Sequence, residues 1–337
     1  SGCPFSSSPS LQPHLSPFHR PLASTFHMRI LLLHHSGCTS TKDFVSEIPG
    51  LISNPAVSLL ALLSVHSEAE VRRALATLPG DPHLDRALVS CSHLKGAILS
   101  ENCASTRVVS RKEGTTVGAL SVGDRDAATL TIVHWTSGSS GTPKSVALPL
   151  DAFFTYARGL IDVLSIDASS RVALGSPLGF DPWLGDVLAC CLSGATPIVV
   201  DVSLATAPPL TTALSTGRVT HFTTTPTIAR YIETGERAPR SLAVLALGGE
   251  VMPTSLADAW AHRVRLFNLY GTTEECGYQA FAKVLSADQR RWITDPFPGR
   301  SFAADGGSVT VDGRPTGDLA RTVAGGAVEL VGRRDDQ

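Results

Sequence analysis

The sequence predicts an α/β protein built on mainly parallel sheets with helices on both faces. Short apolar runs alternate with helical patterns from residue 130 to residue 269, and glycine- and hydroxyl-rich segments follow several of those runs. Strands that are separated by helices pair in parallel and need both faces covered. With 337 residues, of which 43% are hydrophobic, the chain is long enough for one large core or two sub-domains.

The predicted elements follow in a regular order. Arg29–Leu33 is a strand candidate, and the apolar rhythm of Val57–Leu78 predicts a helix. Leu130–Trp135 predicts a strand, and Asp151–Leu164 a helix that Asp151 is placed to cap. Strands and helices then alternate over Arg171–Leu174, Trp183–Leu192, Thr196–Asp201, Leu210–Thr216, Thr220–Thr224, Thr227–Glu233, Leu242–Leu247, Ser255–His262 and Val264–Leu269.

The pattern also divides the chain into segments. Residues 1–27 contain five prolines and no acidic residue, which predicts a disordered extension, with a cleaved targeting peptide as the alternative. Residues 28–128 are the N-terminal part of the core, and 129–285 are the α/β core that carries the ligand sites. Residues 286–331 predict a small β sub-domain, and 332–337 a hinge.

Composition excludes several classes of function. A net charge of −2 leaves no basic field for a nucleic-acid partner. The longest apolar run is far short of the ~20 residues that a membrane helix needs, so no membrane partner is expected. Seven scattered cysteines without a C-x-x-C pair favour reduced thiols and a cytoplasmic location over zinc or disulfides.

A glycine- and hydroxyl-rich loop follows the strand that ends at Trp135. It reads Thr136-Ser137-Gly138-Ser139-Ser140-Gly141-Thr142-Pro143-Lys144. Its backbone N–H groups and hydroxyls can wrap a polyphosphate, and a plain Ser/Gly surface loop is the alternative. The spacing of Lys144 does not fit the Walker A pattern, which argues against a P-loop enzyme.

Four further segments carry chemistry. Asn268-Leu269-Tyr270-Gly271-Thr272-Thr273-Glu274 offers a ring for a base and a carboxylate for phosphate-bound Mg²⁺, although Tyr270 could be a core aromatic and Glu274 could open a helix. Gly248-Gly249-Glu250 allows close approach of a flat ligand or forms a tight turn. Gly317-Asp318 could bind ribose hydroxyls or be a solvated turn. Gly332, Arg333 and Asp335 belong to a charged stretch at the C-terminal end of the sequence.

Taken in this order, the segments resemble the adenylate-forming superfamily, which includes acyl-CoA synthetases, luciferases and the adenylation domains of nonribosomal peptide synthetases. The loop at 136–144 is similar to T-S-G-S-T-G-x-P-K, with Ser140 in place of a threonine. Residues 268–274 resemble N-x-Y-G-x-T-E, Gly317-Asp318 resembles T-G-D, and residues 332–337 resemble the G-R-x-D-x-Q hinge. The resemblance covers roughly residues 130–337, and it is most like the N-terminal core of an amino-acid adenylation domain.

The resemblance implies roles for the matching residues, with ATP and Mg²⁺ as cofactors. Lys144, Thr273 and Glu274 would be catalytic, with Glu274 the metal ligand and Asp335 the hinge. ATP would be bound by Thr136, Ser137, Gly138, Ser139, Ser140, Gly141, Thr142, Lys144, Gly249, Glu250, Asn268, Tyr270, Gly271, Thr272, Thr273, Asp318 and Arg333. The implied reaction is attack of a carboxylate on the α-phosphorus of ATP, with release of pyrophosphate.

The substrate class follows from residues 180–186, which resemble the F-D-x-S segment of amino-acid-activating domains with Trp183 in place of the serine. There the aspartate, Asp181 in this chain, pairs with the substrate ammonium. The alternative is that Asp181 caps a helix that begins at Pro182. The implied substrate residues are Phe180, Asp181, Gly185, Thr223, Ala246, Gly248, Leu269 and Gly277. Their three glycines and one alanine predict a roomy pocket.

The resemblance has limits. No early motif of the family is matched before Thr136, and the family's mobile C-terminal domain, with its adenylation lysine, is absent from the sequence. We therefore expect a core that turns over weakly alone and passes an aminoacyl group to a carrier-protein thiol in trans. An acyl- or aryl-CoA ligase core and a degenerate nucleotide-binding module remain as alternatives.

Overall fold

Strands dominate the computed structural model of the chain. It describes residues 28–35, 51, 57–65, 86–89, 106–108, 130–136, 144–177, 179–200, 202 and 210–334. The strands are β1 Met28–His35, β2 Val57–Val65, β3 Arg86–Val89, β4 Thr106–Val108, β5 Thr131–Thr136, β6 Lys144–Pro149, β7 Arg171–Leu174, β8 Thr196–Val199, β9 His221–Thr224, β10 Val244–Gly248, β11 Arg265–Tyr270, β12 Ala280–Lys283, β13 Trp292–Ile293, β14 Asp295–Pro296, β15 Phe302–Asp305, β16 Ser308–Val311, β17 Arg314–Thr322 and β18 Val328–Arg333. The α-helices are α1 Leu150–Leu164, α2 Asp181–Ser193, α3 Leu210–Thr216, α4 Pro226–Ala229 and α5 Thr254–Trp260.

The first sheet has the strand order β4-β3-β1-β2-β5-β6 among the described residues. Its strands pair in parallel except β5 and β6, which form an antiparallel pair. The predicted helix over Val57–Leu78 is wrong for Val57–Val65, which is strand β2 between β1 and β5. A nearly continuous apolar run suits an inner parallel strand as well as a helix, so periodicity could not separate the two. Residues 66–78 lie outside the described part of the chain.

The second sheet has the order β14-β12-β11-β10-β9-β7-β8. Strands β11, β10, β9, β7 and β8 are parallel, which confirms the predicted parallel core. Strands β12 and β14 extend it in antiparallel fashion. The third sheet, in the order β13-β18-β17-β16-β15, is antiparallel and forms the small β sub-domain that the sequence predicts. The exact segment boundaries stay predictions.

Helices α1 and α2 pack against each other. Helix α1 buries the predicted face, including Phe153, Tyr156 and Leu160. The prediction that Asp151 caps it is wrong, because Pro149 ends β6 at the N-cap position and Asp151 falls in the first turn. A carboxylate there still interacts favourably with the helix dipole.

The prediction of a helix over Thr227–Glu233 is also corrected. Helix α4 begins at Pro226 and ends at Ala229. The backbone N–H of Glu233 donates to the Thr211 hydroxyl at 2.7 Å, in place of a helical hydrogen bond. No helix within the described ranges combines the length and apolar character needed to cross a membrane.

Candidate active site

The carboxyl ends of three parallel strands bring the predicted pocket residues together. In the register of β9, β10 and β11, Thr223 lies beside Ala246, and Gly248 beside Leu269. Because this register is fixed by backbone hydrogen bonds, sequence-distant residues become neighbours at one edge of the sheet.

A cleft of about 400 Å³ opens at the same edge. It gathers nine residues that the sequence analysis assigns to ligand binding, namely Gly249, Glu250, Asn268, Leu269, Tyr270, Gly271, Thr272, Asp318 and Arg333. Arg290 and Arg291 also line it, and no motif in the sequence pointed to them. The cleft therefore joins the ends of β10 and β11 to the third sheet.

Three polar side chains are already paired inside this cleft. The Tyr270 hydroxyl donates to Asp318 Oδ2 at 2.5 Å, and Arg333 Nη1 lies 3.5 Å from Asp318 Oδ1. Asp318 and Arg333 are cross-strand partners on β17 and β18. Burial and the hydrogen bond to Asp318 raise the pKa of Tyr270, so the phenol stays protonated and donates. The carboxylate is thus held in one orientation, with a cation beside it.

Lys144 at the start of β6 forms an ion pair with Glu274 in the turn after β11. Lys144 Nζ is 3.6 Å from Glu274 Oε1, and both side chains are more than half exposed. Strand pairing sets Lys144 opposite Thr136 on β5. The phosphate-loop residues Ser137, Gly138, Ser139, Ser140, Gly141 and Thr142, the side chain of Thr136, and Asp335 lie outside the described part, so their roles stay predictions.

Two cleft residues have structural partners that the sequence did not reveal. Glu250 Oε2 accepts from the backbone N–H and the hydroxyl of Thr227, at 3.0 and 2.6 Å, and so stabilises the start of α4. The Asn268 amide donates to the Trp292 carbonyl at 3.1 Å and ties β11 to β13. Both interactions shape the cleft wall.

Asp181 is a buried carboxylate in the first turn of α2. Its Oδ2 accepts from the Gly277 backbone N–H at 2.6 Å, and its Oδ1 accepts from the Thr273 hydroxyl at 3.3 Å. The helix begins at Asp181 with Phe180 as the N-cap residue, and no side chain caps it. The alternative interpretation of Asp181 as a helix cap is therefore wrong, since its carboxylate reaches across to the loop after β11.

Gln279 holds that loop, and sequence reasoning missed it. Its side chain accepts from the Thr272 N–H at 2.9 Å and donates to the carbonyls of Gly277 and Cys276 at 2.8 and 3.0 Å. Gln279 is fully buried. A lone glutamine before a strand carries no sequence signal for such a clamp, because its partners are backbone groups.

The prediction of a roomy side-chain pocket is wrong. A Cβ on Gly185 would lie 2.1 Å from Tyr156 Cε1, and one on Gly277 would lie 2.5 Å from the same ring. A Cβ on Gly248 would lie 2.4 Å from Tyr278 Cε1. The glycines leave space, but two tyrosine rings fill it. Glycine composition alone does not say which neighbour occupies the space that it leaves.

The comparisons with known proteins agree with this geometry. The chain matches the model of the AMP-binding enzyme family over residues 54–305. It is 32% identical over 231 residues to novobiocin biosynthesis protein H of Streptomyces niveus, a match that covers 68% of this chain and 36% of that protein. It is 30% identical over 258 residues to the nonribosomal peptide synthetase ivoA of Emericella nidulans, covering 68% of this chain and 15% of the relative.

Solved structures share the fold. The complex of VinN with L-aspartate aligns with a TM-score of 0.71 at 16% identity, covering 91% of this chain and 86% of that one. The chain spans only about a third of the length of the Streptomyces relative and less of the synthetase. The span matched by the family model includes β2 to β15, the part of the cleft at the ends of β10 and β11, and Asp181, and we conclude that the chain belongs to the AMP-binding enzyme family, within the adenylate-forming superfamily.

Proposed function

We propose that this chain activates an amino acid as its aminoacyl-AMP, with ATP and Mg²⁺, and that the aminoacyl group then passes to a carrier-protein thiol in the biosynthesis of a peptide natural product. Both a synthetase among its relatives and the F-D segment support an amino acid over a simple acid. The assignments of the site residues follow the resemblance described above.

The observation that carries the proposal is the position of Asp181. Its carboxylate is buried, lies beside Gly277 and is held by one backbone N–H and one hydroxyl. A buried carboxylate with capacity for a further donor suits a substrate ammonium, and it repels the bare carboxylate of a fatty or aryl acid.

The proposed reaction is a displacement at the α-phosphorus of ATP. A carboxylate oxygen of the amino acid forms the new O–P bond, the bond to the β-phosphate bridging oxygen breaks, and pyrophosphate leaves with that electron pair. Such a step needs positioning and charge stabilisation rather than a protein nucleophile. In this chain Asp181 would orient the ammonium, Asp318 and Arg333 the ribose, and Lys144 the phosphates.

The residues present fit a phosphate-bound Mg²⁺. No cluster of three or more His, Cys, Asp or Glu side chains able to hold a metal occurs among the described residues. Mg²⁺ is commonly held by one or two carboxylates together with substrate phosphates and water, and Glu274 offers such a carboxylate beside Lys144. When bound, the ion would neutralise phosphate charge, and Glu274 would be the protein carboxylate that holds it.

The test is calorimetric binding of sulfamoyl-adenosine mimics that carry aminoacyl, hydroxyacyl, aryl and fatty acyl groups. We expect tight binding to one or a few aminoacyl members only. Asp181→Ala should weaken that binding about 100-fold or more, because a buried ion pair loses one partner. Asp181→Asn, which keeps an acceptor for Gly277, should show a similar loss if charge is the cause.

The exposed Asp288→Ala variant is the matched control and should bind like the wild type. A preference for uncharged acyl mimics that Asp181→Ala leaves unchanged would support the CoA-ligase alternative. Absence of binding to every mimic would support a degenerate nucleotide-binding module.

A further inference from the structure

The Tyr156 ring occupies the space beside two glycines that the resemblance assigns to substrate binding. Its ring lies between Gly185 on α2 and Gly277 in the loop after β11, where an added Cβ would come within 2.1 and 2.5 Å of it. Neither glycine could carry a side chain while the ring is there. The two glycines and Tyr156 therefore form one packing unit drawn from three separate parts of the chain.

Packing holds the ring in this position. Tyr156 is 3% exposed, and its ring centroid lies 6.1 Å from that of Tyr278 and 6.2 Å from that of Phe297. Phe297 in turn packs on Gly159 of α1, one turn after Tyr156. Aromatic neighbours on two sides make this ring a fixed wall rather than a freely rotating side chain.

The polar end of Tyr156 has no partner. Its hydroxyl is buried and makes no hydrogen bond, and the same is true of both carboxyl oxygens of Asp186, which follows Gly185 on α2. Burial, and then the charge of Asp186, raises the pKa of Tyr156. Buried polar groups without partners are uncommon in folded proteins, and each needs an explanation.

A ligand with a polar end would give all three unpartnered atoms a partner. A short substrate side chain would end at the Tyr156 ring. Its polar group would then lie beside the Tyr156 hydroxyl and the Asp186 carboxyl. A long or aromatic side chain would overlap the ring.

We infer that Tyr156 determines specificity at this pocket: its ring limits the substrate to a short side chain, and its hydroxyl, with Asp186, hydrogen-bonds a polar group at the end of that side chain. This inference rests on the proposed function. It names the substrate class as small amino acids with a polar side chain.

The experiment compares the binding of alanyl, seryl and tryptophanyl sulfamoyl-adenosines to the wild type and two variants. The wild type should bind the seryl mimic best and the tryptophanyl mimic at least about tenfold more weakly. Tyr156→Phe should keep the size limit but lose about fivefold of the seryl-over-alanyl preference, the usual worth of one hydrogen bond. Tyr156→Ala should bind the tryptophanyl mimic at least about tenfold more tightly than the wild type does.

Tyr231→Ala, at an exposed tyrosine, is the control and should keep the wild-type ranking. If Tyr156→Ala does not fold, Tyr156→Leu, which removes the outer half of the ring, should show the same change in direction. The inference fails if the folded Tyr156 variants keep the wild-type ranking of the mimics. It also fails if the wild type binds small and bulky aminoacyl mimics equally tightly. Either result leaves the proposed function intact. If the wild type binds acyl or aryl mimics and no aminoacyl mimic, both the proposed function and the inferred substrate class are wrong.

Discussion

The cleft at the ends of β10 and β11 and the proposed side-chain pocket around Tyr156 differ in how their polar groups are satisfied. In the cleft, Tyr270, Asp318 and Arg333 satisfy one another without a ligand. In the pocket, Tyr156 and Asp186 are buried and lack hydrogen-bond partners. The difference indicates that the cleft is organised in advance, whereas the proposed pocket would be completed by its ligand. A preorganised cleft favours tight binding of a constant ligand, and an incomplete pocket favours discrimination among variable ones.

The largest expected effect lies in the loop that both regions share. Gln279→Ala would leave the Thr272 N–H and the Gly277 and Cys276 carbonyls without partners, and it should lower the free energy of unfolding by about 2–4 kcal/mol. Urea unfolding measures this. Gln289→Ala, at a glutamine that accepts one exposed hydrogen bond from the Leu285 N–H, should cost less than about 1 kcal/mol. Equal losses of unfolding free energy in the two variants would show that Gln279 does not hold the loop after β11.

The pH dependence of the free energy of unfolding tests whether Asp186 is buried without a partner. Burial raises the pKa of its carboxyl well above the ordinary value, so the folded state keeps a proton that the unfolded state loses at about pH 4. Stability is therefore full below that pH and falls as pH rises towards the folded pKa, by up to about 1.4 kcal/mol per pH unit. Asp186→Asn should remove this slope from unfolding curves recorded between pH 5 and pH 8.

The exposed Asp288→Asn variant should keep the wild-type slope. If Asp186→Asn kept it as well, Asp186 would be ionised in the folded protein and would have a partner after all.

The smallest expected effect lies in the cleft. Tyr270→Phe removes the hydroxyl that orients Asp318 and should weaken ATP binding about fivefold, as for the loss of one hydrogen bond. Calorimetry with ATP and Mg²⁺ measures this, and Tyr231→Phe is the matched surface control. An unchanged affinity would mean that Arg333 alone holds Asp318 in place.

The sequence predicted the cleft better than the pocket, for a physical reason. The cleft residues stand at strand ends in short motifs, and parallel pairing brings such ends together. Tyr156 is one apolar-face residue of an ordinary amphipathic helix, so its position against Gly185 and Gly277 depends on how α1 packs on α2. Packing between distant segments leaves no local pattern to read.

The same limit explains the other errors. Apart from Ser58 and Ser64 the run Val57–Val65 is apolar, so only its strand neighbours decide that it is β2. The motif predicts a substrate role for Asp181, and that role stays a prediction; the hydrogen bond from the Gly277 N–H to its carboxylate spans 96 residues and could not be foreseen. Asp186 lies in the 180–186 segment, but nothing in that segment indicates burial without a partner, because such burial is a property of the fold.

The register of β9, β10 and β11 has a consequence for how such a protein can change. Thr223, Ala246, Gly248 and Leu269 are held in place by main-chain hydrogen bonds, which no substitution of their side chains removes. Side chains at Thr223, Ala246 and Leu269 can therefore change without breaking this pairing, whereas Gly248, where a Cβ would lie 2.4 Å from Tyr278 Cε1, and Gln279, whose side chain holds the loop after β11, have no such freedom. In such a scaffold, positions held by main-chain hydrogen bonds tolerate substitution where space allows, and positions whose side chains make the holding hydrogen bonds do not.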